Sequence, residues 1–169
     1  IFMAETNSYM FVTGPDVIKT VTHEEVSKEA LGGAETHSEK SGVCHFVRPD
    51  ERACIHSVRQ LMGYLPLNNL DESPVKATQD PIDRPCMNIG KLMPESPNQP
   101  YDIRALIADV VDDGDFMEVH AGYAQNIVVG FARLAGRTVG IVGNQPAFLA
   151  GCLDINASVK GGRFVRFCD

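Results

Sequence analysis

The sequence predicts a mixed α/β protein, and three observations carry that reading. First, residues 140–169 run as an apolar strand, a loop that must turn sharply, and the opening of a helix. Second, residues 127–134 and 138–142 are rich in β-branched and apolar side chains. Only Ala135-Gly136-Arg137 separates them, which is hairpin spacing. Third, seven of the ten prolines, at 66, 74, 81, 85, 94, 97 and 100, crowd one stretch between two segments of regular apolar spacing. Proline fixes φ and removes a backbone donor, so this stretch reads as an irregular connection and a domain boundary.

Taken in order, Ser-Tyr-Met-Phe-Val-Thr at 8–13 predicts a short strand. Gly14-Pro15 ends it and seeds a helix, since proline suits the first helical turn. Thr22-His23-Glu24-Glu25 has capping-box spacing and predicts a second helix that stops at Gly32-Gly33. Residues 34–40 add another helical turn, and 43–47 a strand. Residues 50–64 form the clearest amphipathic helix of this half, with Cys54, Val58, Leu61, Met62 and Leu65 at helical spacing.

Beyond the prolines, Asp102 caps a helix that places Ile103, Leu106, Ile107, Val110 and Val111 on one face. Asp112-Asp113-Gly114 ends it, and a short strand at 116–119 and a loop at 121–126 lead into the hairpin. Residues 138–142 read as a buried strand. Gly143, Pro146 and Gly151 then punctuate a loop where the backbone comes close to something. The final helix opens near 154–156, where Asp154 and Asn156 are both good caps, and should turn Val159, Phe164, Val165, Phe167 and Cys168 towards a core. Lys160 and Arg163 are expected to face water. The helix is still apolar at Asp169, so the sequence reads as a piece of a longer chain.

A formal net charge of −7, without a basic run, argues against a nucleic-acid partner. No apolar run has the length of a membrane helix. The five cysteines show no CxxC spacing and read as reduced structural thiols of an intracellular compartment. His23, His37 and His45 with Cys44 match no metal-ligand spacing and read as surface or helix-end residues. The proline stretch holds no PxxP core in an aromatic context, so it does not read as a recognition ligand.

Catalytic motifs are equally scarce. There is no G-x-S-x-G elbow, Walker loop, GxGxxG or HExxH. Gly140 and Gly143 read as packing glycines. A Cys–His pair such as Cys152 with His120 has the residue types of a nucleophilic site, but a buried structural cysteine is the simpler reading.

The polar residues of the last segment are more specific than any strand–turn–helix requires. G-I-V-G-N-Q-P at 140–146, G-C-L-D-I-N-A-S at 151–158 and K-G-G-R-F-V-R-F-C-D at 160–169 resemble one family. It is the carboxyltransferase (β) subunits of propionyl-CoA carboxylase, with the related methylmalonyl-CoA carboxyltransferases. Y-M-F-V-T-G-P-D-V-I-K-T-V-T at 9–22, L-G-G-A-E-T-H at 31–37 and N-I-V-V-G-F-A-R-L at 126–134 extend the resemblance. It is specific over 8–46 and 116–169 and vague across the proline stretch. The Q-P and G-C-L-D-I-N pair resembles the propionyl type and not the methylcrotonyl type.

The resemblance implies a crotonase-like (ClpP/crotonase) α/β fold of superhelical β-β-α units. Residues 1–65 would end an N-terminal carboxyltransferase domain, 66–100 would link, and 101–169 would start the C-terminal domain. The implied reaction moves a carboxyl group from N-carboxybiotin to the α-carbon of propionyl-CoA through an enolate. Enolate oxygens are held by backbone N–H groups, which explains the shortage of catalytic side chains. Both oxyanion holes of the family fall outside this sequence, so no residue here is assigned a catalytic role, and the segment alone should be inactive.

What the resemblance leaves inside is a biotin-side wall: Gly143, Asn144, Gln145, Pro146, Gly151, Cys152 and Leu153. The plainer alternative has Gly151 and Pro146 shaping a turn while Asn144 and Gln145 cap backbone. Implied cofactors are biotin, carried covalently by a partner, and an acyl-CoA substrate, with no metal. Implied partners are like subunits in a hexamer, built as a trimer of dimers, and a biotin carboxylase or biotin carrier subunit. Neither nucleic acid nor membrane is implied. The compartment would be the mitochondrial matrix in a eukaryote and the cytoplasm in a bacterium. A non-catalytic or truncated assembly subunit of the same type is the competing reading.

Overall fold

The computed structural model describes residues 1–96 and 99–169, so Pro97 of the proline-rich stretch lies outside the described residues. The chain divides into two units, Ile1–Arg59 with His120–Tyr123, and Gln60–Val119 with Ala124–Asp169.

In the first unit, β1 (Phe2–Ala4) pairs in parallel with β2 (Phe46–Arg48), Met3 opposite Val47. Met3, Ala34 and Cys44 are buried beneath this pair, with Val47 packed on them. α1 (Pro15–Thr22) starts on its proline as expected, and α2 (Lys28–Gly32) follows. A π-helical turn at Thr36–Lys40 precedes β2. The expected strand at 8–13 does not form. Met10 N–H donates to the Gly32 carbonyl at 2.8 Å, and the Met10 carbonyl meets His37 Nε2 at 2.6 Å. Beyond the isolated Tyr9–Gly33 bridge, nothing continues a ladder there.

The capping box at Thr22 fails for a local reason. Thr22 Oγ1 donates back to the Ile18 carbonyl at 3.0 Å, and His23 takes a left-handed φ of 62°. Thr22 therefore closes α1, and Ser27 caps α2 by accepting from Ala30 N–H at 3.1 Å. α3 (Glu51–Met62) forms, with its last residues counted in the second unit, but only Ser57 of it is buried. Val58 and Met62, expected inside, are exposed.

The second unit is built on β3 (Met117–Val119), β4 (Ile127–Leu134) and β5 (Arg137–Asn144), an antiparallel sheet in that spatial order. α4 (Ile89–Leu92) is the one regular helix among the described residues of the 66–100 stretch. That stretch is fastened by polar contacts. Lys76 N–H donates to the Gly136 carbonyl, and the Arg84 guanidinium donates to the Asp109 and Val111 carbonyls.

α5 (Ile103–Val110) and α6 (Ile155–Cys168) cover opposite faces of β4. On one face Ile107 and Val111 pack with Val128 and Ala132. On the other, Phe131 meets the Phe164 ring at 5.1 Å. β4 is consequently buried from Ile127 to Arg133. A central strand with a helix on each face has no solvent side, which is why its sequence reads as a continuous apolar run. The two-residue turn Ala135-Gly136 has positive φ at both positions, 52° and 75°, and Asp112 accepts from both N–H groups.

Two expectations about this unit are corrected. β5, expected to be buried, is an edge strand that alternates between half-buried and exposed. The inward face of α6 is Ala157, Lys160, Gly161 and Phe164, while Val159, Val165, Phe167 and Cys168 are exposed. Ala157 and Gly161 sit on that face where the helix lies close to the sheet. A Cβ on Gly161 would stand 3.0 Å from Ile127 Cδ1.

Candidate functional site

The expected wall begins where β5 runs out. Asn144 is its last residue, paired with Ile127, and Gln145 N–H extends the ladder by donating to the Asn126 carbonyl at 2.9 Å. The chain then doubles back. Leu149, Ala150 and Gly151 take left-handed φ values of 48°, 52° and 72° in succession. For two residues with a Cβ, that conformation costs on the order of 1–2 kcal/mol each. It persists only where the surroundings fix it.

Those surroundings are a set of polar side chains, of which Asn126 and Gln145 are buried. Asn144 Nδ2 donates to the Gly151 carbonyl at 2.7 Å, and Asn126 Nδ2 donates to the Cys152 carbonyl at 2.7 Å. Gln145 is fully buried. Its Oε1 accepts from Ile103 N–H at 3.2 Å and Ala147 N–H at 3.4 Å, while its Nε2 donates to Asp102 Oδ1 at 2.6 Å. Within the turn, Gly151 N–H donates to the Phe148 carbonyl and Cys152 N–H to the Leu149 carbonyl. Phe148, Leu149, Leu153 and Ile155 are exposed around the turn, so its outer surface is largely apolar.

Charge beneath the loop is arranged in pairs. Burial pushes the Asp102 carboxyl up, but hydrogen bonds from Gln145 and Arg104 N–H outweigh it and hold the group below its usual range. Arg104 grips Glu118 with two bonds, Nε to Oε2 at 2.7 Å and Nη2 to Oε1 at 2.8 Å. Asp154 caps α6 through Ala157 N–H at 2.8 Å, and that bond, followed by the Asn126 carboxamide, lowers its pKa.

Lys160 is 2% exposed, contrary to the expectation that it faces water. Its stem lies along the inward face of α6, and its ammonium donates to the Ala124 carbonyl at 3.4 Å. Burial drives its pKa down to about 8, with Glu118 opposing and Arg104 assisting. Below pH 8 the ammonium is charged in both folded and unfolded states, and the burial penalty is complete. Between pH 8 and 10.5 the folded protein releases the proton first, so this residue's contribution to stability rises with pH. The span from 10.5 to about 8 corresponds to on the order of 3 kcal/mol. The stability advantage of Lys160→Met over wild type should therefore shrink as pH rises from 7 to 10. A gap independent of pH in paired thermal melts of the full-length protein contradicts this.

The residues expected to form a wall are thus brought together, with different duties. Gly143 sits over Ile103, and an added Cβ would lie 3.3 Å from its Cγ1. The Gln145 amide is spent inside the protein, accepting from the Ile103 and Ala147 N–H groups as the plainer backbone-cap alternative expected. Gly151 is buried, whereas Asn144 and Leu153 are exposed. Cys152, expected to be a buried structural thiol, is exposed. His120 counts with the first unit, where its N–H donates to the His45 carbonyl at 2.9 Å. His37 is spent on Met10 and Ser41. Among the described residues there is no group of three or more His, Cys, Asp or Glu able to hold a metal.

Sequence reasoning missed Asn126 and Asp102 as partners of the loop. An Asn at a strand start and an Asp at a helix cap have ordinary local readings, and nothing in the sequence pairs them with residues twenty or more positions away.

The model of the carboxyl transferase domain matches residues 1–169. The chain is 53% identical over 169 residues to a propionyl-CoA carboxylase beta chain of Roseobacter denitrificans, covering all of this chain and 33% of that protein. It is 50% identical over 168 residues to the mitochondrial propionyl-CoA carboxylase beta chain of Sus scrofa, covering 99% of this chain and 31% of that one. Among solved structures, the transcarboxylase 12S hexamer with methylmalonyl-coenzyme A and methylmalonic acid bound superposes with a TM-score of 0.93 at 45% identity. That match covers 99% of this chain and 32% of the 12S chain, so the sequence spans about a third of these relatives. The mixed α/β architecture is the crotonase-like one.

Proposed function

Because the chain belongs to the carboxyl transferase domain family, we propose that it is the central part of a biotin-dependent acyl-CoA carboxyltransferase. The whole subunit would move a carboxyl group from N-carboxybiotin to the α-carbon of propionyl-CoA, giving methylmalonyl-CoA through an enolate. In this reading residues 1–65 complete the N-terminal domain, 66–100 connect, and 101–169 open the C-terminal domain. Like subunits would assemble as a hexamer and meet a partner that carries biotin. A eukaryotic version would work in the mitochondrial matrix and a bacterial one in the cytoplasm.

The observation that carries the local part of this reading is the left-handed run 149–151 under an apolar rim. Strain of this kind gathers at binding and catalytic sites, where a fixed backbone shape is part of the function. Biotin has a flat, largely apolar bicycle with a ureido edge that both donates and accepts. Phe148, Leu149, Leu153 and the Pro146 ring suit its faces, and backbone N–H groups of the turn suit its carbonyl. The fit needs no charged side chain.

The role of this chain would be to hold and orient the biotin ring while water is kept off. The enolate itself would be stabilised by N–H groups outside residues 1–169. The test is carboxyl transfer from methylmalonyl-CoA to free biotin by the full-length protein. Transfer that saturates in both substrates supports the proposal. A folded, assembled protein without transfer supports the assembly-subunit reading instead.

A further inference from the structure

We propose that Asn126 is a positioning residue that clamps both ends of the 145–154 loop and so fixes the left-handed turn at 149–151. The inference rests on the biotin-wall reading for its consequence in turnover, and on geometry alone for the clamp. Asn126 immediately precedes β4 and is 2% exposed. Its backbone carbonyl receives Gln145 N–H at 2.9 Å, where the loop leaves the sheet. Its side-chain Nδ2 donates to the Cys152 carbonyl at 2.7 Å and reaches Asp154 Oδ1 at 3.3 Å, where the loop returns. The same Asp154 oxygen receives Ala157 N–H and so ties the returning strand to the first turn of α6.

One residue therefore spans the two points between which the chain reverses. A second bond, from Asn144 Nδ2 to the Gly151 carbonyl, holds the middle of the turn, while Phe148, Leu149, Ala150 and Cys152 are exposed. Removing the carboxamide leaves the part-buried bond to the Cys152 carbonyl unmade and frees the turn to relax towards ordinary φ values. Once relaxed, the N–H groups of Leu149 and Ala150 no longer point as they do here. No acyl-CoA contact is placed on this loop, so acyl-CoA binding should be untouched.

The variants are Asn126→Ala, which deletes the donor, and Asn126→Asp, which keeps the shape but turns a donor into an acceptor facing a carbonyl and the Asp154 carboxylate. Val128→Ala, in the core and not in the wall, is the control for lost stability. In the full-length protein, both Asn126 variants should raise KM for free biotin and lower kcat/KM for biotin by about tenfold or more. KM for methylmalonyl-CoA should change by less than about twofold, and Val128→Ala should leave the biotin KM near wild type.

A second readout does not need activity. Chymotrypsin requires an extended segment, so the locked turn should resist cleavage after Phe148 and Leu149, and the Asn126 variants should be cut there faster than Val128→Ala. If the wild-type protein fails to use biotin, the function proposal falls, and the cleavage pattern alone decides the clamp. If biotin is used but the Asn126 variants match Val128→Ala in both readouts, the clamp is overturned and the function proposal stands.

Discussion

Gly151→Val in the full-length protein is expected to lower carboxyl transfer to biotin at least tenfold, about 1.4 kcal/mol of barrier, with acyl-CoA affinity nearly unchanged. The cause differs from simple obstruction of a ligand. Gly151 has a φ of +72°, and an added Cβ would meet Asn144 Cβ at 3.3 Å and Gln145 C at 3.6 Å. A branched side chain there cannot point at a bound ring. It must push the loop away from the residues that shape it. Gly151→Ala shares the unfavourable φ, so it should fall between wild type and valine instead of being harmless. Biotin kinetics, direct CoA-ester binding and a thermal melt on the same preparations check this. Unaltered biotin kinetics in a folded Gly151→Val protein would show that the turn is only structural.

Gln145→Leu is expected to have the largest effect on stability. Leucine fills the volume but strands Ile103 N–H at the start of α5 and removes one of the donors on Asp102. Unmade bonds at buried groups cost about 1–3 kcal/mol each, so a loss of about 3 kcal/mol is expected. Gln145→Glu gives a sharper sign. It keeps the acceptor for Ile103 but sets a second carboxylate against Asp102, at the 2.6 Å position of the present hydrogen bond. Two such carboxylates favour sharing one proton, so this variant should be less stable at pH 7 than at pH 5, relative to wild type. Thermal melts at the two pH values decide it; a Gln145→Glu deficit independent of pH contradicts the pairing.

Much of the second unit was legible before any coordinates. The bounds of β4, a hairpin turn at 135–137, the Asp102 cap and a final helix opening at 154–156 were read from short-range rules; the turn proved one residue shorter, and Asp154 proved to be the cap. What failed had a common cause. The strand at 8–13 needed a partner that the chain does not bring to it. The inward face of α6 was misread because apolar rank was used where closeness to the sheet decided, which favours Ala157 and Gly161 over Val159 and Val165. Lys160 was misplaced for the same reason, since a long stem can lie along a close helix face with its head on a carbonyl.

The turn at 143–153 was legible as a position, and the contacts that hold it were not. Glycine and proline marked where the chain must turn. The residues that hold the turn, Asn126 and Asp102, are distant in sequence and ordinary in type. Gln145 was weighed both as a wall residue and as a backbone cap, and its side chain turns inward to cap backbone.

The most direct test of the central claim is amide hydrogen exchange across residues 143–153 of the full-length protein, measured alone, with saturating free biotin, and with saturating acyl-CoA. Biotin should slow exchange in the 145–153 loop, while acyl-CoA without biotin should leave it unchanged. Protection of that loop by acyl-CoA alone, or none from biotin while transfer to biotin proceeds, would contradict the claim that these residues form the biotin side of the site.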